Sequence, residues 1–336
     1  MVRVSVIIKA LNEERGIARA IESALQAVAK IGGEVILADS LSTDRTVEIA
    51  SRYPIRIVQL ESVADRSCGV GAQLGYQYAR GEFVYILDGD MIMKPGFLEQ
   101  AVAAMANRPE IAGVGGIIVE CNTESLEFLA RKKRASRNMA PGSVDRLDMG
   151  GLYRRSALER VGYMTNRHLH SYEELELGVR LRARGYQLMR IDVEAVDHYG
   201  HSTPAYQLLM RRWRSKYICG IGELVRSSLG QPHLPLILRE LRELWLYVAV
   251  IGWWALLALT AALGFALPDD FTQGCFAAFL ALLITPLVAM TVRKRSLIEG
   301  CYSIVSWSFN AAGLLKGFLA RPRAGTDAIP ASVIRD

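Results

Sequence analysis

Cysteine is scarce in this chain and poorly placed for structural work. The 336 residues hold five, Cys68, Cys121, Cys219, Cys275 and Cys301, an odd number with wide spacing. No CxxC pair and no zinc-ligand spacing occurs among them. A disulfide framework and a cysteine-based zinc site are therefore not expected, and a reducing compartment fits. The N-terminal stretch is not expected to be a signal peptide. The apolar run at residues 4–8 is far too short for a signal peptide, and Lys9, Glu13 and Glu14 follow it at once. Low hydrophobicity with high net charge, the mark of disorder, is also absent: 51% of residues are hydrophobic and 22% charged.

What the first 204 residues lack is a charge imbalance. They carry 26 basic and 26 acidic residues, so the net charge of +6 lies elsewhere. Residues 205–243 hold seven basic and three acidic residues, and so do residues 293–336. Between them, residues 244–292 contain only Asp269 and Asp270. This pattern argues against nucleic acid as a partner, because no general basic surface exists for it.

The poorly charged segment is where long hydrophobic runs occur. Residues 244–267 and 271–292 carry no charge, and each is long enough to span a bilayer. Pro268, Asp269 and Asp270 separate them, which predicts a helical hairpin. Trp245, Tyr247, Trp253 and Trp254 supply interfacial aromatics, and the basic flanks place both ends in the cytoplasm. The expected location is the inner (plasma) membrane, with the catalytic part cytoplasmic.

Residues 205–229 place Leu208, Leu209, Trp213, Tyr217, Ile218, Ile221 and Leu224 at helical spacing among Arg211, Arg212, Arg214, Lys216 and Arg226. They read as an interfacial amphipathic helix on anionic lipid, or as a basic surface helix on a globular domain. Residues 297–319 are apolar with a small or polar stripe. A third span would put Arg321, Arg323 and Arg335 outside, against the charge rule, so an in-plane helix is expected. The tail after Arg321 reads as loosely ordered. The expected domains are 1–204 catalytic, 205–243 interfacial, 244–292 transmembrane and 293–336 an interfacial helix and tail.

Within residues 1–204, strand and helix patterns alternate. Strands are expected at 4–8, 34–39, 55–60, 83–88 and 111–120. Helices are expected at 14–30, from Ser42 or Thr43 as cap, at 69–79 and at 95–106. Alternation of this kind implies an α/β fold with a parallel sheet and helices on both faces. Ligands bind such sheets at the carboxyl ends of the strands. Asp39 ends the second strand and Asp88 the fourth. In Asp88-Gly89-Asp90, one carboxylate suits a ribose, the other a hard cation such as Mg²⁺ or Mn²⁺ that bridges a diphosphate. Gly89 lets backbone approach the phosphates. A turn that merely ends a strand is the plainer reading of the same residues.

Taken in order, these segments resemble glycosyltransferase family 2, inverting nucleotide-sugar transferases with the GT-A (Rossmann-like) fold. The resemblance covers residues 2–201. Residues 4–14 are similar to the opening strand and nucleotide-binding turn, and residues 38–46 to the second nucleoside turn. Residues 79–90 resemble the segment carrying the DxD motif. Gly150-Gly151 and Ser171-Tyr172-Glu173-Glu174-Leu175-Glu176-Leu177 resemble the acceptor wall and the base motif. The resemblance implies donor contacts at Lys9, Ala10, Leu11, Glu13, Asp39, Asp88 and Gly89. It implies a metal at Asp90 with Asp88, and His198 or His201 as a third contact. Glu174 is implied as general base, and Gly150, Gly151, Glu173, Arg212 and Trp213 lie toward the acceptor.

Three departures stand out. Lys9 replaces a common proline, Leu11 a frequent aromatic, and Glu174 the usual aspartate of the base pair. Residues 207–213 only approximate the Gln-x-x-Arg-Trp motif of processive synthases, and two spans are too few for their channel.

The expected reaction moves a sugar from a nucleotide diphospho-sugar, by resemblance a UDP-sugar, to a hydroxyl of a polyprenyl-diphosphate-linked saccharide. A polysaccharide or cell-envelope pathway is the expected setting. The basic run Arg131, Lys132, Lys133 and Arg134 with Arg137 suits the acceptor's phosphates, lipid headgroups or simply solvent. A polyprenyl-phosphate acceptor is one alternative. A non-catalytic membrane nucleotide-sugar binding protein is another.

Overall fold

The computed structural model describes residues 2–122, 137–200 and 203–336. The basic run at residues 131–134 and the alternative contact His201 lie outside the described residues. The chain forms two units, one of residues 1–204 with 321–336 and one of residues 205–320.

The first unit is built on one sheet. Its opening half follows the expected alternation: β1 (Val4–Ala10), α1 (Ile17–Ala29), β2 (Gly33–Asp39), α2 (Thr46–Ala50), β3 (Arg56–Leu60), α3 (Cys68–Tyr78) and β4 (Phe83–Asp88). Next come β5 (Met91–Met93), α4 (Phe97–Met105), β6 (Ile111–Glu120), β7 (Gly142–Val144), β8 (Gly151–Arg154), α5 (Arg155–Arg160), α6 (Glu173–Ala183) and β9 (Gln187–His198). With β10 (Ala331–Arg335) added, the strand order is β10-β3-β2-β1-β4-β8-β6-β9-β5, and β7 also pairs with β9.

Successive residues of β1 point to opposite faces, as pleating requires. Val6 and Ile8 pack with Ile17, Ile21 and Phe97 from α1 and α4. Ile7 packs with Val70, Leu74, Leu177 and Leu181 from α3 and α6. α1 buries Ile17, Ala20, Ile21, Ala24, Ala27 and Val28, a stripe at three- and four-residue spacing.

Three expectations are corrected. The sheet is parallel only in part: β3, β2, β1 and β4 run parallel, as do β6 and β9. β8, β5, β7 and β10 (Ala331–Arg335) pair antiparallel. The tail is not loose. β10 covers the outer edge of β3, Ile329 is buried, and the buried Arg167 donates to the carbonyl of Ala328 at 2.6 Å. An open edge on a parallel sheet exposes unpaired amides, and β10 closes this one. Finally, α2 starts at Thr46 with no side-chain cap, because Ser42 and Thr43 are spent on the turn before it.

The second unit is helical: α7 (Ala205–Arg214), α8 (Gly220–Ser228), α9 (Leu234–Glu240), α10 (Arg242–Ala266), α11 (Asp269–Lys294) and α12 (Leu297–Leu319). The helices at 242–266 and 271–294 are long and apolar enough to cross a membrane. They are joined at Leu267-Pro268. Pro286 inside α11 has no N–H to give the carbonyl of Leu282, four residues back. Trp253 of α10 donates its indole N–H to that carbonyl at 2.9 Å. Trp253 therefore ties the hairpin together at its middle rather than sitting at an interface.

α12 lies along α7 and α8. Phe309 meets Trp213 edge-on at 5.4 Å, and Tyr302 meets Tyr206 at 5.1 Å. A Cβ at Gly317 would fall 2.0 Å from the carbonyl oxygen of Cys219, and one at Gly222 would fall 2.1 Å from that of Leu314. The small stripe read in α12 is thus a backbone-to-backbone contact.

Candidate active site

The carboxyl ends of β1 and β2 lie side by side, with Ala10 opposite Asp39. Their two turns are laced together. The amide of Asn12 donates to Ser42 Oγ at 2.9 Å, Glu13 N to Thr46 Oγ1 at 2.8 Å, Glu14 N to Asp44 Oδ2 at 3.1 Å and Thr43 N to Asn12 Oδ1 at 2.7 Å. Asn12 and Leu41 hold φ near +60°, a conformation that non-glycine residues adopt mainly where the surroundings force it. Arg66 closes the turn by donating to the carbonyls of Ser40 and Leu41.

Asp39 is fully buried. Its Oδ2 accepts from Ser42 N at 3.0 Å and from Gln59 Nε2 at 2.8 Å. Its Oδ1 has no hydrogen-bond partner among the described residues. A buried oxygen left unpaired costs about 1–3 kcal/mol. An N–H or O–H brought to it would remove that cost.

β4 delivers the acidic turn. Gly89 donates to the carbonyl of Lys9 at 3.0 Å, and a Cβ on Gly89 would lie 2.7 Å from Glu13 Cγ. Glycine is therefore required where Glu13 crosses the turn. Burial pushes the Glu13 carboxyl up to about 7, with Asp90, Asp88 and Asp44 adding to the shift. Past the turn, Asp90 Oδ2 lies 3.4 Å from His198 Nε2, while His198 Nδ1 lies 2.8 Å from Glu120 Oε2. Burial pulls the imidazole down, but hydrogen bonds to Asp90 and Glu120 override it and carry its pKa to about 9.

No three His, Cys, Asp or Glu side chains form a ready metal cage among the described residues. The donor set still fits a cation held partly by substrate. Mg²⁺ and Mn²⁺ sites of that kind use one or two carboxylates plus phosphate oxygens. A histidine whose Nδ1 faces a carboxylate is oriented as metal-bound histidines are.

On the other face of the sheet, α6 opens with Glu173 and Glu174 after Tyr172, whose φ is 68°. Glu174 Oε1 accepts the amide of Met149 at 2.9 Å. Met149 and Gly150 both have positive φ, and a Cβ on Gly150 would lie 2.4 Å from the carbonyl oxygen of Ile86. Gly151 begins β8 beside Ile86. Burial pushes Glu174 up to about 8, helped by Asp148 and Glu173 and opposed by Lys9. Glu173 is raised too, first by burial. The loop that supplies Met149 hangs on Arg190, which is 2% exposed and donates to the carbonyls of Gly116 and Asp148, both at 2.5 Å, and of Asn138.

The strand ends thus bring together Lys9, Glu13, Asp39, Asp88, Gly89 and Asp90, with His198, Glu173 and Glu174 around them. Leu11 is exposed on the same rim. Arg212 and Trp213 belong to the second unit, where Arg212 stacks on Tyr217 and Trp213 meets Phe309 and Lys316. Sequence reasoning missed Gln59, Glu120, Asp148, Arg190 and the partner of the Lys9 side chain. Glu120 was within reach, because it ends an apolar strand as Asp39 and Asp88 do.

Residues 5–162 match the family described as Glycosyl transferase family 2. EpsE of Bacillus subtilis (strain 168), assigned as a glycosyltransferase, is 27% identical over 197 residues, 55% of this chain and 68% of that one. A dolichol-phosphate mannosyltransferase of Pyrococcus furiosus is 25% identical over 114 residues, 33% of this chain and 32% of its own length. Among solved structures, the mannosyltransferase PcManGT of Pyrobaculum calidifontis, in complex with GDP-Man and Mn²⁺, shares the fold. Its TM-score is 0.60 at 20% identity, covering 94% of this chain and 87% of that one. Residues 5–162 are thus similar to glycosyl transferase family 2, and the chain shares the fold of that mannosyltransferase.

Proposed function

We propose that this chain is a family 2 glycosyltransferase that inverts configuration as it moves a sugar from a uridine diphospho-sugar to a hydroxyl of a membrane-associated, polyprenyl-diphosphate-linked saccharide. The observation that carries the reading is Glu174. It is half-buried, fixed by the Met149 amide, and its pKa is raised to about 8. A general base works best with such a pKa.

The donor's base packs at the turns after β1 and β2. The open Oδ1 of Asp39 accepts from it, and a uracil ring offers one imide N–H to match one free oxygen. Asp88 and Glu13 face the ribose and diphosphate. Asp90 and His198, steadied by Glu120, would hold a divalent cation. The chemistry such a cation supplies is neutralisation of charge on the leaving diphosphate.

Glu174 takes the proton of the acceptor hydroxyl. The oxygen bonds to the anomeric carbon from the side opposite the diphosphate, whose C–O bond breaks. The nucleotide diphosphate leaves with the bonding pair, and the anomeric centre inverts.

The membrane part of the reading rests on α10 and α11 and their basic flanks. Trp245, Phe265, Phe271, Phe276 and Val292 are exposed on these helices, which suits lipid. α12 packs along the basic helices α7 and α8, which supports an in-plane rather than a spanning position. The catalytic unit would face the cytoplasm at the inner membrane.

A polyprenyl-phosphate acceptor is a second reading, favoured by the likeness to a dolichol-phosphate mannosyltransferase. Such an acceptor is already an anion and needs no base, so Glu174 opposes it. The deciding experiment offers UDP-sugars with Mn²⁺ and either polyprenyl phosphate or lipid-linked saccharide, and follows UDP release. Release with polyprenyl phosphate alone overturns the first reading.

A further inference from the structure

We propose that Lys9 is a positioning residue, a fixed cation that holds Asp88 on the donor side and steadies Glu173 and Glu174 on the acceptor side. The inference rests on the transferase reading above, which gives these carboxylates their work.

Lys9 lies opposite Asp88 where β1 pairs with β4, and its Nζ is 2.8 Å from Asp88 Oδ1. Its side chain is 19% exposed. It follows Ile7 on the face covered by α3 and α6, the face that carries Glu173 and Glu174. The chain makes room for it. A Cβ at Gly71 in α3 would lie 3.3–3.4 Å from Cβ, Cγ and Cδ of Lys9, so the lysine stem fills the place of the missing side chain. Glycine is a poor helix former, and its presence inside α3 is explained by that stem.

Electrostatics agree with the geometry. Burial acts to neutralise the ammonium, yet Asp88, Glu173 and Glu174 together raise its proton affinity above the ordinary value. In return, Lys9 opposes the upward shift of both glutamates. One cation therefore serves two sets of acids that the reaction uses at opposite ends of the transferred sugar. Asp88 is the one ion-pair partner of the ammonium among the described residues, so the head is placed by that pair and by the stem beside Gly71.

The test uses the full chain with UDP-sugars, Mn²⁺ and membrane lipid extract. Lys9→Met should lower kcat roughly tenfold or more while UDP affinity, read by thermal shift with Mn²⁺, stays within about threefold. Lys9→Arg should recover part of kcat. Gly71→Ala presses on the stem, so it should lower kcat when Lys9 is present and add nothing in the Lys9→Met background.

Wild-type kcat in Lys9→Met overturns the proposal. So does an equal loss of UDP affinity, or a Gly71→Ala effect of the same size in both backgrounds. If the wild type releases no UDP with any donor, the transferase reading fails. The Lys9 inference is then judged by unfolding alone: Lys9→Met and Asp88→Asn must couple in a double-mutant cycle, and additive effects overturn it.

Discussion

The two units treat an orphaned acceptor in opposite ways. In the helical unit, Pro286 leaves the carbonyl of Leu282 without its helical donor, and Trp253 from the neighbouring helix fills the gap. In the sheet unit, Ser42 and Gln59 satisfy one oxygen of Asp39 and leave the other bare. The helical unit closes this gap from within and turns apolar side chains outward. The other buries its apolar side chains and keeps unfinished polar business at the strand ends. The difference separates a part built to sit in a medium from a part built to receive a ligand.

The largest effect should come from the acceptor side of the sheet unit. Glu174→Gln keeps the shape and removes the base, so transfer should fall about 10²–10⁴-fold. Donor binding should change little, and helix content of the second unit not at all. UDP release and circular dichroism check both. Wild-type turnover would sink the base assignment.

The pH profile sharpens the same contrast. Glu174, as the proposed base, would work only when ionised, and burial beside Asp148 and Glu173 raises its pKa to about 8. kcat should fall about tenfold per pH unit below that value, and Glu174→Gln should lose the slope. Stability follows the opposite sign. A carboxyl with a raised folded pKa contributes stability fully below its ordinary value of 4.5, and this is lost as pH rises through about 8. Thermal unfolding between pH 5 and 8 should therefore flatten in the variant.

Third, Asp39→Ala removes the bare oxygen together with the partner of Gln59 and Ser42. A lost charged hydrogen bond of this kind is worth about 1–3 kcal/mol. Donor KM should rise roughly 5- to 150-fold with kcat less affected. An unchanged KM would mean that the orphan is no ligand atom.

The smallest effect should appear in the hairpin. Trp253→Phe reopens the Leu282 carbonyl at a cost of about 1 kcal/mol in a bilayer. Unfolding in lipid should shift, and UDP release should not. A drop in turnover would break the division of labour between the units.

Much of this architecture is legible in residue order. Asp39 and Asp88 announce themselves because apolar strands end in carboxylates, and the hairpin because two charge-free runs flank a Pro-Asp-Asp turn. Glu174 is different. Its helix start is visible, but only the family resemblance singles it out from Glu173 and Glu176. Pairing across long separations stays hidden. Lys9 meets Asp88 because two parallel strands share a register, and no local pattern encodes that. His198 finds Glu120 in the same way. The antiparallel β8 and β10 are short, and a short strand has no signal beyond the partner that accepts it.

β10 carries one more consequence. It belongs to the same sheet as β1 and β4, yet 116 residues of helical chain intervene between the two parts of that unit. A chain that departs from a sheet and later rejoins it must finish on the side of any barrier where it began. The number of crossings between Pro204 and Arg321 is therefore even. α10 and α11 can cross together, and α12 cannot add an unmatched third passage. A five-residue strand at the sheet's edge thus constrains the topology of residues 205–320.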